Sequence, residues 1–257
     1  MRTNFLIRLL ICFQISSCGF FSRALRKDKT LSGGAIVTTF NLVDKSGKFE
    51  LRRESGYIKS KNQYITKRQI FSYNSDRKLL EKSIVISTPG SVKGVNVMRP
   101  SISQYTVWFE KKKYFTEMEI SPKDKSMLIK LNSPEKQWQG ESRLKFPPMT
   151  GVYCYFSQVI ECANLTGFLD EATKRQAGSM KILVIWAGYP YFQEQYLNMP
   201  NEVFSNASLE YDGKNSNGER RFTLKFSGQS IFYFIDNKNN LSKMFWVSQG
   251  LSITKKH

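Results

Sequence analysis

Residues 103–121 read SQYTVWFEKKKYFTEMEIS. Tyr105, Val107 and Phe109 alternate with Thr106, Trp108 and Glu110, and a repeat of two is the side-chain period of a strand. The lysines at 111–113 mark a turn, and Tyr114 to Ile120 forms the next strand. Strands joined by so short a turn pair antiparallel.

The same pattern extends both ways along the chain. AIVTTFNLVD (35–44) and GKFELRRESGYIKSK (47–61) flank a hairpin-like Lys45-Ser46-Gly47 turn. NQYITKRQIFSYN (62–74) follows, then LLEKSIVISTPG (79–90), which Pro89-Gly90 is expected to close. SMLIKLNS (126–133) ends at Pro134, and 135–150, with two prolines, reads as loop. MKILVIWAGYPYF (180–192) is a strongly apolar strand broken at Gly188 and Pro190. The last third is a meander: ASLEYDG (207–213), ERRFTLKFSG (219–228), QSIFYFIDNK (229–238) and LSKMFWVSQGLSITK (241–255), with a hairpin turn at Asp236–Asn240. Helical spacing competes only in LTGFLDEATKRQAG (165–178), where Leu165, Phe168, Leu169 and Ala172 recur and Gly178 stops the run. The reading is mainly β, a β-rich α+β chain: a curved antiparallel sheet or open half-barrel with one or two helices.

The 257 residues are 40% hydrophobic and 14% aromatic, enough for one large core. The formal net charge of +18 raises the question of nucleic acid. The cations, however, are scattered through Lys59, Lys61, Lys67, Arg68, Lys123, Lys125 and Lys255, as solvated strand faces are, so no nucleic-acid partner is expected.

The N-terminus sets the compartment. In MRTNFLIRLLICFQISS, Arg2 precedes a short apolar run from Phe5 to Ile15, interrupted by Arg8, and small Ser16 and Ser17 follow. That is the layout of a secretory signal peptide, too short to span a bilayer. Ile15-Ser16-Ser17-Cys18 resembles the bacterial lipobox. The resemblance implies that 1–17 is a lipoprotein signal peptide and that Cys18 carries the lipid, palmitate or a like acyl chain. Each buried CH₂ then holds the protein to the membrane by roughly 0.8 kcal/mol. Gly19, where an acidic residue would favour inner-membrane retention, implies an outer-membrane lipoprotein of the cell envelope, facing the periplasm or the surface. Residues 18–34, with Arg23, Arg26, Lys27 and Lys29, then form a basic tether, and 35–257 a single periplasmic-type domain.

Cys154 and Cys162 remain, an even pair in an oxidising compartment, which argues for a disulfide; two buried thiols are the alternative. On one straight helix eight residues would span about 12 Å, beyond bridging distance. A bond therefore demands a turn, a hairpin or a helix that ends between them.

Catalytic chemistry is thinly provided. The one histidine is His257, so His-assisted nucleophiles and His-rich metal sites have no basis, and no cofactor is expected. Glu117 and Glu119 share a strand face and Asp170-Glu171 sits on the helical segment, both read as ordinary solvent-facing charges.

The element order from about 34 to 254 resembles the LolA/LolB-like half-barrel carriers. That resemblance implies a concave apolar face receiving acyl chains or a hydrophobic partner. The aromatics available to line it are Trp186, Tyr189, Tyr191, Phe192 and Trp246, several within the unusual stretch WAGYPYFQEQYLNMP (186–200), although aromatic stripes in strands are more often core. The leading functional expectation is a non-catalytic lipoprotein binding or carrying a hydrophobic ligand. A structural envelope lipoprotein that binds protein, polysaccharide or anionic lipid is the alternative, and a glycan-acting hydrolase the least favoured. In cell fractionation, Cys18→Ser is expected to lose its acyl anchor and leave the membrane; a variant that stays membrane-bound and uncut would defeat the lipobox reading.

Overall fold

Alternation becomes burial in the segment 114–120: Tyr114, Thr116, Met118 and Ile120 are buried, while Phe115, Glu117 and Glu119 between them are half-exposed. The computed structural model describes residues 35–148 and 150–256; the expected signal peptide, Cys18 and tether lie outside the described residues. The strands are β1 (Ile36–Asp44), β2 (Gly47–Ile58), β3 (Gln63–Ser72), β4 (Leu79–Val92), β5 (Val95–Phe109), β6 (Lys112–Ser121), β7 (Ser126–Asn132) and β8 (Gly140–Lys145). After β9 (Tyr153–Tyr155) come helices α1 (Val159–Leu165) and α2 (Phe168–Arg175). β10 (Ser179–Ile185), β11 (Phe204–Lys214), β12 (Arg220–Phe226), β13 (Gln229–Ile235), β14 (Leu241–Trp246) and β15 (Leu251–Lys255) complete the chain. All fifteen form one open sheet, ordered β8 through β1 and then β15 back to β9. Each described pair is antiparallel except β9 with β10.

Several local expectations are corrected. Pro89-Gly90 does not close β4; the strand runs on to Val92, and the hairpin turns at Lys93-Gly94, both at positive φ. Pro89 lies past the last β3 partner of β4, Ser87, so its missing N–H has no ladder to break. The turn after β5 falls on Glu110-Lys111, both left-handed, and the lysines at 112 and 113 already belong to β6. The 135–150 loop contains β8, whose exposed GESRLK sequence carries no buried stripe to reveal it. LSKMFWVSQGLSITK is two strands, because a 3₁₀ turn at Val247–Gln249 and left-handed Gly250 (φ 63°) reverse the chain. Gly167 (φ 77°) starts α2 at Phe168, later than the helical spacing suggested.

The sheet closes by overlap. Cys154 and Val184 point to one face of β9–β10 and join the main core. Tyr153, Tyr155 and Ile185 point to the other and pack with Val85, Met118, Ile120, Met127 and Ile129. Those last five lie on the concave face of β4, β6 and β7 in register with inward Thr66 and Ser103. β9 thus slips inside the opposite arm of the sheet. A strand covered on both faces has no polar side to show, which is why MKILVIWA reads as an unbroken apolar run. Gly188 is required at this overlap, since a Cβ there would come within 2.9 Å of the Tyr105 ring and of Phe192.

Cys154 and Cys162 are disulfide-bonded with Cα atoms 6.3 Å apart. The helix begins between them: Cys154 is on β9, a 3₁₀ turn covers Phe156–Gln158, and α1 starts at Val159. The bond pins α1 to the inner face of the tucked strand. Closing an eight-residue loop removes on the order of 2.5 kcal/mol of unfolded-chain entropy. Urea unfolding of Cys154→Ser/Cys162→Ser is expected to show a loss of about that size, and an unchanged midpoint would contradict it.

Candidate ligand-binding site

The interior is filled mainly by aromatic rings. Trp186 stacks on Phe192 with centroids 5.6 Å apart and lies 6.5 Å from Trp246, which stacks on Tyr196 at 5.1 Å. Trp186 and Trp246 are each 1% exposed, and their indole N–H groups donate to Ser205 Oγ and Gln229 Oε1. Of the aromatics singled out in the sequence, Phe192 and Trp246 border a small inner cavity of about 50 Å³, together with Phe156, Tyr196 and Tyr233. Trp186 and Tyr191 are core, the Tyr191 hydroxyl donating to the Trp138 carbonyl. Tyr189 instead lies on an open groove at the overlap seam with Leu144 and Phe204. The five do not form one cleft.

More room exists in the wall. β15 pairs with β1 only from Val43 to Phe40, and Lys256 N–H adds one bond to the Thr39 carbonyl. Ile36 to Thr38 of β1 therefore pair with β2 alone, through Ser55 to Arg53. This leaves a notch between the start of β1 and the β13–β14 turn. It opens into a vestibule of about 290 Å³ lined on the apolar side by Phe40, Tyr57, Tyr64, Ile65, Met98 and Leu165. Gly56 lets the chain enter here, because a Cβ would meet the Ala35 backbone at 2.9 Å. A larger space of about 790 Å³ lies between Lys181, Asn206, Ser208 and Lys225, but it is an open groove on the outer face.

Arg53 and Glu161 border both the vestibule and the inner cavity, forming a neck. The Arg53 guanidinium donates to Glu161 Oε1 at 2.6 Å, the Ser157 carbonyl at 2.9 Å and Ser55 Oγ at 2.9 Å. Beside it, Ser87 Oγ donates to Gln158 Oε1 at 2.7 Å. Four polar atoms here are buried and unpartnered: Ser157 Oγ, Gln158 Nε2, Glu161 Oε2 and Tyr233 OH. Burial drives the Tyr233 phenol well above its ordinary pKa, so its hydroxyl keeps its proton. Deeper still, Arg68 faces inward, 3.8 Å from Glu81, which accepts from Tyr105 OH at 2.9 Å. The sequence groups Arg68 with the surface cations; its register with Ser83 and its low exposure place it inside.

Of the carboxylates named in the sequence, Glu117, Asp170 and Glu171 are engaged by other side chains. Glu117 accepts from Gln104 at 2.6 Å and sits 3.7 Å from Lys130 on the outer face. Asp170 meets Arg220 at 3.2 Å and Glu171 meets Arg175 at 2.7 Å. Among the described residues no group of three His, Cys, Asp or Glu could hold a metal.

No family model matches the chain, and no curated protein matches it. Among solved structures it is similar to the crystal structure of a β-barrel-like protein of the domain of unknown function DUF1849 from Brucella abortus. That likeness has a TM-score of 0.43 and 8% identity, covering 86% of this chain and 94% of the other.

Arg53 organises the neck, and its loss would strand a half-buried carboxylate. Arg53→Met is expected to cost about 2 kcal/mol, and adding Glu161→Leu to restore much of it, since removing both charges spares the uncompensated one. Equal losses in the single and double variants, read by denaturant unfolding, would refute the coupling.

Proposed function

We propose that the protein is a non-catalytic outer-membrane lipoprotein, held by acyl chains on Cys18, whose folded domain binds a small amphiphile at the wall notch. One observation carries the binding reading: the notch joins an apolar wall to a neck whose buried polar atoms lack partners. A filled structural core leaves such atoms singly, not clustered beside an opening to solvent. The vestibule is at the small end of known ligand pockets, which run from roughly 300 Å³ upward, so the chain it suits has on the order of ten carbons. The inner cavity, at about 50 Å³, has room for only a few water molecules. The lipobox supports the address, and the likeness of element order to half-barrel carriers supports a hydrophobic cargo.

The open outer groove favours a second reading, an envelope lipoprotein that meets a polysaccharide or anionic partner through Lys181 and Lys225. The two differ in salt dependence, because exposed charge pairs weaken as ionic strength rises while apolar burial does not.

Native mass spectrometry of the purified full-length chain is expected to retain a bound short-chain amphiphile. Thr38→Trp, which places an indole in the vestibule, is expected to abolish that adduct with little change in stability. An adduct that survives Thr38→Trp, or binding that disappears only with added salt, would overturn the notch reading.

A further inference from the structure

We propose that the occupant of the notch carries a neutral head that both donates and accepts a hydrogen bond, a long-chain amide or alcohol, and that a fatty-acid anion is disfavoured. The inference rests on the notch being the ligand site and names the chemistry of what it takes.

Two side chains on one face of the α1 entry set the requirement. Residues three apart in helical backbone are neighbours, and Gln158 and Glu161 both border the vestibule. Glu161 spends Oε1 on Arg53 at 2.6 Å and leaves Oε2 buried without a partner. A carboxylate only accepts, so what completes it must donate. Gln158 is 1% exposed; its Oε1 is taken by the Ser87 hydroxyl, and its Nε2 is left with protons to give. What completes it must accept. An amide answers both, with N–H toward Glu161 and C=O toward Gln158, and a hydroxyl can do the same with one atom.

Charged heads satisfy one side chain and conflict with the other groups. A carboxylate would suit Gln158 while setting a second negative charge beside Glu161 Oε2. Arg53 cannot easily rescue it, because its guanidinium is already committed to Glu161, Ser157 and Ser55. A cationic head would suit Glu161 but would enter a vestibule that Arg53 and Lys238 already line. In so confined a site, like charges a few ångströms apart are weakly screened.

The test is titration of the full-length chain with decanamide, decanol and decanoate at about pH 8, where decanoate is ionised. Decanamide and decanol are expected to bind at least about tenfold more tightly than decanoate. Glu161→Gln, which removes the negative charge and supplies a donor, is expected to bring decanoate to within about threefold of decanamide. Decanoate binding as well as decanamide to the unaltered protein, or a ratio unmoved by Glu161→Gln in a folded variant, would overturn the head-group inference and leave the notch standing. If none of the three binds, the notch reading falls with it. The ratio in the unaltered protein decides the matter even if Glu161→Gln does not fold.

Discussion

A sheet of fifteen strands has two edges, and hiding them is the constraint on which this architecture turns. Exposed edges invite pairing with other chains. Here one edge is removed from solvent by steric overlap: Tyr153, Tyr155 and Ile185 press into the concave face presented by Val85, Met118 and Ile129. Joining β8 to β9 by hydrogen bonds would have made a closed barrel with a wider lumen. Overlap instead places β9 inside, and β9 carries Cys154, to which α1 is bonded. The helix is therefore delivered to the interior by the same tuck that closes the sheet. Glu161 reaches Arg53, and Gln158 reaches Ser87, because of it. The other edge, β8, is kept short and carries Glu141, Arg143 and Lys145, the charged manner in which free edges are usually protected.

Filling the interior this way dictates where a ligand can go. The rings of Trp186, Phe192, Tyr196 and Trp246 occupy the space that a half-barrel would leave open, and their polar tips find partners in Ser205 and Gln229. What remains inside is about 50 Å³. The usable volume has moved to the wall, where β15 is five residues long against nine for β1. The mismatch in strand length, more than the curvature of the sheet, makes the vestibule.

The strands were legible wherever one face was wet and the other dry. The alternation in β6, β12 and β13 gave their register with solvent directly, and the Asp236–Asn240 turn carries the side-chain bonds that Asp and Asn bring to hairpins, with Asp236 Oδ1 accepting from the N–H groups of Lys238 and Asn240. β8 was invisible because neither of its faces is buried, so it has no pattern to display. α1 was hidden by its length: seven residues make two turns, and VIECANL is equally a strand by composition. The site was the least legible part. Aromatic side chains advertise core and cleft alike, and only the fold shows that Trp186 and Tyr191 are enclosed while Phe192 and Trp246 border space. Arg53 is far in sequence from Gln158 and Glu161, and all three are ordinary in type. A hint lay in RRESGY, where Arg53 occupies the inward position of a strand whose inward neighbour is Leu51.

Unpartnered buried atoms occur elsewhere in the fold, so their number alone would not single out the neck. Tyr155 OH lies within the apolar overlap and Arg220 Nε beside a guanidinium otherwise held by Asp170 and the Asp236 carbonyl. Each is a single atom whose neighbours are satisfied, the ordinary residue of packing large polar side chains. At the neck, by contrast, Ser157, Gln158 and Glu161 lie within five consecutive residues and Tyr233 faces the same cavity. Each such group left dry costs on the order of 1–3 kcal/mol. A fold that tolerates four together beside an opening to solvent keeps them wet or fills them from outside. The apolar lining of Phe40, Tyr64 and Met98 next to them makes water a poor tenant for the rest of the vestibule, and an amphiphile meets both halves at once.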